Sequence, residues 1–192
     1  HKRKGREKMK FEEAHKLVGI AEGGYVNDPK DNGGETIFGI SRKFNPKFSG
    51  WADIDIWKSR GNTTPQSLTK LAKDDKYFMD RVSAFYRGLY WNKCKCDYIH
   101  NLLRYPVYSC AVNCGVKVAS KFLQRAVSAK DDGIIGRKSL IALNNCPPQQ
   151  TLDSFYTQWG NYYDTIVERN PSQSKFIKGW KNRIENVKRD NF

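Results

Sequence analysis

The chain has 192 residues, a length that suits one large domain or one domain with a small extension. With 39% hydrophobic and 13% aromatic residues it can bury a core and does not read as disordered throughout, and it has no run of ~20 apolar residues that would span a bilayer. The formal net charge of +14, spread along the whole sequence, draws the protein to polyanions, either nucleic acid or an anionic cell-envelope polymer.

The start, HKRKGREKMK, is basic with no apolar core behind it, so as it stands it does not read as a signal peptide; residues 1–9 read as a disordered basic tail, with the remnant of a longer anchor as the alternative. Phe11, Ala14, Leu17, Val18 and Ala21 recur at steps of three and four, which predicts an amphipathic helix from Phe11 to Ala21. Gly23 and Gly24 are expected to end it, since glycine takes the left-handed cap position without strain. YVNDPKDNGGETIFGIS then reads as a β-hairpin around a Pro- and Gly-rich turn. A short helix follows over DIDIWKSRG. One long helix is predicted over TPQSLTKLAKDDKYFMDRVSAFYRGLYW, with Thr64 as its cap and Pro65 in its first turn. YPVYSCAVNCGVKVASKFLQRAV reads as a buried helix interrupted at Gly115, DDGIIG as a turn, and RKSLIALNN as a helix halted by CPP. Helices over residues 151–168 and 173–188 complete a mainly α chain with one small β-hairpin near the N-terminus.

The five cysteines are odd in number, and Cys94 and Cys96 are only two apart, a poor disulfide framework. The CxC and CxxxC spacings depart from zinc-knuckle patterns and no histidine completes them. Reduced, mostly buried thiols are expected, with no metal and no cofactor. His15 reads as a helix-surface residue and His100 as a loop residue.

Glu22 carries more chemistry. It lies four residues after Val18 and eleven after Phe11, on the apolar face of the predicted helix. Burial there, and the carbonyl groups of a helix C-terminus, both disfavour the ionised carboxylate, the condition a general acid needs. The alternative is a glutamate that turns out to solvent at a frayed helix end. Asp31 across the turn and Thr36 on the returning strand fold back towards Glu22. A protonated glutamate facing an ionised aspartate is the pairing that glycoside hydrolysis uses, with Thr36 holding the water. Asp28 competes for the base role, and Asp31 reads equally as a turn residue. Tyr25, Trp51, Tyr90 and Trp91 are candidates for stacking on sugar faces, with core packing as the alternative. Asn113 either donates to an N-acetyl group or caps a local carbonyl.

EGGYVNDPKDNGGETIFGIS resembles the signature of family 108 glycoside hydrolases, a group that includes phage endolysins and proteins labelled secretion activators. The resemblance implies a lysozyme-like fold and N-acetylmuramidase activity on the β-1,4 bond between N-acetylmuramic acid and N-acetylglucosamine, with Glu22 as catalytic acid. The stretch is also similar to the Glu-x8-Asp-x5-Thr pattern of the wider phage lysozymes. Glu22 to Asp31 keeps the eight-residue gap, whereas Asp31 to Thr36 leaves four. LYWNK resembles the family's Tyr-Trp segment, here Tyr90 and Trp91. AVNCGVKVASKFLQRAV followed by DDGIIGRKSLIAL is similar to the family's carboxy-terminal peptidoglycan-binding region, and FIKGWKNRI to its closing helix. Ser109 departs from the aspartate often found before Asn113.

This likeness implies a lysozyme-like catalytic region over residues 10–104 and a helical peptidoglycan-binding-like region over 105–192, packed on it as one globule. It implies peptidoglycan as partner, met by a monomer at the cell wall or periplasm. The alternatives are a non-catalytic wall-binding protein and a basic nucleic-acid-binding protein. Lys and Arg alternate with acidic residues along several helices and no nucleic-acid motif appears, which speaks against specific nucleic-acid recognition.

Overall fold

The computed structural model describes residues 8–28 and 33–191, so most of the expected basic tail and the candidate base Asp31 lie outside the described residues. Among the described residues nine α-helices accompany one three-stranded antiparallel sheet. No helix is long and apolar enough to cross a membrane among them. The described residues form two compact units: those within His15–Gly88 are one, and residues 8–14 together with residues 89–191 form the other.

Helix α1 (Phe11–Val18) ends earlier than its periodicity suggests. Gly19 adopts the left-handed conformation (φ 74°), and a 3-10 turn over Ile20–Glu22 follows. The stop is therefore Gly19, not the Gly23–Gly24 pair, because a helix closes where its first left-handed residue falls.

The unit His15–Gly88 holds the sheet, β1 (Tyr25–Val26), β2 (Thr36–Ile37) and β3 (Ile40–Ser41), with Tyr25 opposite Ile37 and Ile37 opposite Ile40. The expected hairpin thus gains a third strand. Phe38 and Gly39 turn between β2 and β3 with φ 47° and 77°, the geometry of a two-residue hairpin turn with both central residues left-handed. An Asn-Gly pair would have announced this turn in the sequence, and a phenylalanine conceals it. Phe38 is fully buried, and its carbonyl accepts a 2.8 Å hydrogen bond from the Tyr86 hydroxyl.

Helices α2 (Trp51–Ser59), α3 (Pro65–Asp74) and α4 (Lys76–Tyr86) complete the unit. Thr64 caps α3 by accepting from the Ser67 amide, with Pro65 in the first turn as expected. The single long helix predicted here is broken at Asp75 (φ −87°, ψ 101°), whose carboxylate accepts from the Phe78 amide at 2.9 Å. Aspartate competes with a helix interior by bonding nearby amides, so Asp75 starts a new helix instead of continuing the old one. Phe78 is the centre of this core, ringed by Phe38, Phe48 and Trp57 at centroid distances of 6.3, 6.0 and 5.4 Å.

A π-helical turn (Arg87–Trp91) carries the chain from the first unit into the second, which contains a 3-10 turn (Cys96–Tyr98) and helices α5 (Asn101–Cys114), α6 (Val116–Ala126), α7 (Arg137–Asn145), α8 (Pro148–Arg169) and α9 (Ser174–Asp190). Gly115 separates α5 from α6 as predicted, at φ 91°. Pro106 lies inside α5 and has no N–H to give the Leu102 carbonyl. The buried Asn191, at the end of α9, donates to that carbonyl at 3.0 Å. The DDGIIG turn is held by Gln124, itself 1% exposed. Its Nε2 faces Asp132 Oδ1, the Ile134 carbonyl and Ser139 Oγ at 2.9, 3.1 and 3.0 Å, and its Oε1 accepts from the Gly133 amide at 2.9 Å. The turn joins α6 to α7 through one side chain.

Candidate active site

Glu22 ends the 3-10 turn, which two local hydrogen bonds close: Glu22 N–H donates to the Gly19 carbonyl at 3.0 Å and Gly23 N–H to the Ile20 carbonyl at 3.2 Å. The glutamate is exposed, not buried on an apolar helix face. The left-handed Gly19 takes the chain out of the α-helical register, so the spacing from Phe11 and Val18 no longer decides where Glu22 points. Its carboxyl turns back over Gly19, where a Cβ would stand 3.5 Å from Oε2 and 3.6 Å from Cδ.

The Gly-Gly pair serves a different purpose from ending the helix. Gly23 is extended (φ −68°, ψ −173°). Gly24 passes so close to α3 that a Cβ would lie 2.6 Å from Thr69 Oγ1. The approach lets the Thr69 hydroxyl accept from the Tyr25 amide at 2.8 Å, while the Gly24 carbonyl accepts from the Phe38 amide at 3.0 Å. The chain just after Glu22 is thereby tied both to α3 and to the β2–β3 turn.

Glu35, beside Thr36, gathers the charged groups of this unit. Its carboxylate accepts from the Tyr25 hydroxyl at 2.9 Å, from Arg42 at 2.7 Å and from Lys58. Arg42 also forms a two-bond pair with Asp55. Burial alone would push the Glu35 carboxyl up, but hydrogen bonds from Lys58, Arg42 and Tyr25 outweigh it and hold it below its ordinary range. Arg42 likewise holds Asp55 low, and burial raises the Tyr25 hydroxyl. The Lys58 ammonium lies 5.1 Å from the Tyr25 ring centroid and the Arg42 guanidinium 5.1 Å from that of Trp51. This cluster was not legible in the sequence, because its members sit on β1, just before β2, just after β3 and on α2, with no shared periodicity.

The predicted site residues fare differently. Thr36 stands opposite Val26 in the sheet, half-buried, with its hydroxyl donating to the Gly34 carbonyl at 3.1 Å. Asp28 is exposed, and Asp31 is outside the described residues. Tyr25 is 5% exposed and borders a groove of about 510 Å³ along α3, with Thr69, Lys70 and Lys73 among its walls. Trp51 is buried, and its indole donates to the Asn45 carbonyl at 2.8 Å.

In the other unit Tyr90 is half-buried in the π turn. Trp91 is fully buried, edge-on to Phe11 and Tyr108 at 5.6 and 5.7 Å. No face of that ring is open to a sugar, which makes Trp91 a core residue and corrects its assignment as a stacking platform. Asn113 is exposed and its amide donates to the Ser109 carbonyl at 2.7 Å, the local-cap alternative. His15 is half-buried, its ring 5.4 Å from that of Tyr86, and His100 caps α5 by accepting from the Leu102 amide. The five thiols are free; burial lifts Cys94 to about 12, whereas a hydrogen bond from Cys110 draws Cys114 down to about 7. Among the described residues no three His, Cys, Asp or Glu side chains are grouped to hold a metal ion.

The family model for glycosyl hydrolase 108 matches residues 16–115, and one described as a predicted peptidoglycan domain matches residues 118–185. The solved structure of Brucella abortus SagA is similar at 27% identity and a TM-score of 0.66, covering 94% of this chain and 92% of that one. No curated protein compared with this chain matches it. The expected mainly α, lysozyme-like class therefore holds, and with it a glycoside hydrolase directed at peptidoglycan. With the first match spanning more than half of its length, the chain belongs to glycosyl hydrolase family 108.

Proposed function

We propose that this protein is an N-acetylmuramidase that hydrolyses the β-1,4 bond between N-acetylmuramic acid and N-acetylglucosamine, with Glu22 as general acid. The observation that carries this reading is the setting of Glu22. It is a solvent-facing carboxyl within the family 108 stretch, on a turn fixed on one side by the left-handed Gly19 and on the other by the contact of Gly24 with Thr69. A bound glycan would cover this carboxyl. A carboxyl so placed can reach the leaving oxygen of the glycosidic bond and give it a proton.

Asp31 is the proposed base, with inversion at the anomeric carbon. An inverting pair stands ~6.5–9.5 Å apart to admit a water, whereas a retaining pair stands ~5–5.5 Å apart. The eight residues between Glu22 and Asp31, with a turn among them, favour the wider gap. Thr36 donates its proton to Gly34, which leaves its oxygen lone pairs to accept from that water. The reaction needs two carboxyl groups and a water, and neither metal nor cofactor.

The test is lysis of purified sacculi, with mass spectrometry of the products and determination of the anomer first released. New reducing ends on N-acetylmuramic acid, absent with Glu22→Gln, are expected. Reducing N-acetylglucosamine ends would assign the other glycosidic bond. A β product would mean retention and remove Asp31 from the base role. Activity surviving in Asp31→Asn but not in Asp28→Asn would transfer that role to Asp28.

A further inference from the structure

Helix α8 carries two stripes. Leu152, Phe155, Trp159 and Tyr163 follow one side of it and are buried. Gln158, Asn161, Tyr162, Thr165, Ile166 and Arg169 recur at steps of three and four along another side. These six line a cleft of about 350 Å³, and Phe122 and Arg125 of α6 form its other wall. A second stripe facing open space, made of amides, a tyrosine and a guanidinium, is more than the packing of a helix requires.

The chemistry of the cleft is mixed in a specific way. The Tyr162 ring is half-exposed and is held edge-on by the buried Phe122 at 5.5 Å, which fixes its orientation. Arg169 is exposed and has no ion pair among the described residues. Arg125 is shared with Asp131 at 2.6 Å, so Arg169 is the cation left to meet a ligand. The side-chain amides of Gln158 and Asn161 likewise have no protein partner among the described residues. The volume lies at the lower end of the ~300–1,000 Å³ typical of small-ligand sites.

We propose that this cleft is a second peptidoglycan site, which holds a muramyl residue together with the acidic part of its peptide stem. The sugar ring lies on the Tyr162 face, as amphipathic rings do on tyrosine. The Gln158 and Asn161 amides take the N-acetyl group and hydroxyls, and Arg169 takes a carboxylate in its planar fork. The combination selects against both obvious competitors. A plain chitin oligosaccharide has no carboxylate for Arg169, and a nucleic acid backbone would call for a longer basic track than one unpaired arginine. The identity of the ligand rests on the peptidoglycan reading given above, but the site does not depend on Glu22.

The test is NMR titration of the full chain carrying Glu22→Gln, so that ligand stays intact, with the soluble disaccharide tetrapeptide of peptidoglycan and with chitotetraose. Amides from Gln158 to Arg169 and from Phe122 to Arg125 should shift with the muropeptide. Arg169→Ala and Tyr162→Ala should each weaken that binding roughly 10-fold, the size expected for losing one charge-assisted contact or one stacking surface. Arg169→Glu, at an exposed position, should abolish it without changing the melting temperature, and Arg169→Lys should retain part of it. Chitotetraose binding should be indifferent to Arg169. The proposal is overturned if these amides stay unmoved at saturating muropeptide, if chitotetraose shifts them equally, or if a duplex DNA oligonucleotide shifts them in its place. Sacculus lysis by the protein with Glu22 intact is read separately. Lysis with a silent cleft sinks the second site alone, and a responsive cleft without lysis sinks the hydrolase reading alone.

Discussion

The carboxyl of Glu22 rests over the Cα of Gly19, close enough that a methyl group there would lie 3.5 Å from Oε2. Because Gly19 is also left-handed, one residue sets both the exit of the chain from α1 and the seat of the carboxyl. Glu22→Gln should keep the fold and lose at least ~10²-fold in lysis rate, the low end for removing a general acid. Lysis at the parent rate would end the general-acid assignment. Gly19→Ala should lower stability by about 1–2 kcal/mol, the cost of a left-handed backbone for a residue with a Cβ, and should slow lysis as well. Thermal melts beside turbidity traces separate the two effects.

Glu35 gives a pH signature. Its folded-state pKa is depressed, so its contribution is fully present above the unfolded value and is lost as pH falls through the folded one. Glu35→Gln should therefore destabilise by about 1–3 kcal/mol at pH 7, the range for hydrogen bonds to charged groups. The gap between parent and variant should narrow as pH falls below about 4.3, the ordinary glutamate value. Urea midpoints at neutral and acid pH check this. A gap independent of pH would mean that the Lys58 and Arg42 contacts add nothing specific to the charge.

Pro106 and Asn191 form a compensating pair. Asn191→Ala leaves the Leu102 carbonyl without its donor and should cost about 1–2 kcal/mol. In a Pro106→Ala background the helix regains its own N–H, and the same change at Asn191 should cost much less. Full additivity in this double-mutant cycle would contradict the pairing.

Gln124 should be among the most sensitive polar positions of the second unit. Gln124→Leu strips four contacts from the turn before α7 and should cost roughly 2–4 kcal/mol, since the buried Gly133 amide and Ser139 hydroxyl are left unsatisfied. Gln124→Glu should be no better tolerated, because it loses both N–H donors and faces Asp132 with a like charge. Denaturant unfolding of the two variants measures this.

The basic surface predicts salt-sensitive recruitment. Screening shortens the reach of surface charge to ~8 Å at physiological ionic strength, so binding to purified sacculi should fall steeply as salt rises. Binding unchanged by salt would mean that the charge does not recruit the protein. Preference for duplex DNA over sacculi in competition would favour the nucleic-acid alternative.

The sequence by itself determined the mainly α class, the Thr64 and Pro65 helix start, the break at Gly115 and the family. These are local signals: apolar periodicity, caps and ordered motifs are written in neighbouring residues. Even the DDGIIG turn could be read as a turn, though not that Gln124 is what holds it. What only the tertiary structure decided concerns residues whose meaning depends on distant partners. Glu22 lost its predicted burial because the conformation of one glycine three residues earlier reset its direction. Gly24 is needed because of Thr69, and the indole of Trp91 is closed off by Phe11 and Tyr108. Glu35 is a hub only because Tyr25, Arg42 and Lys58 arrive from three separate segments. Periodicity says which way a side chain points along one regular element, and it is blind to what another element brings within 3 Å.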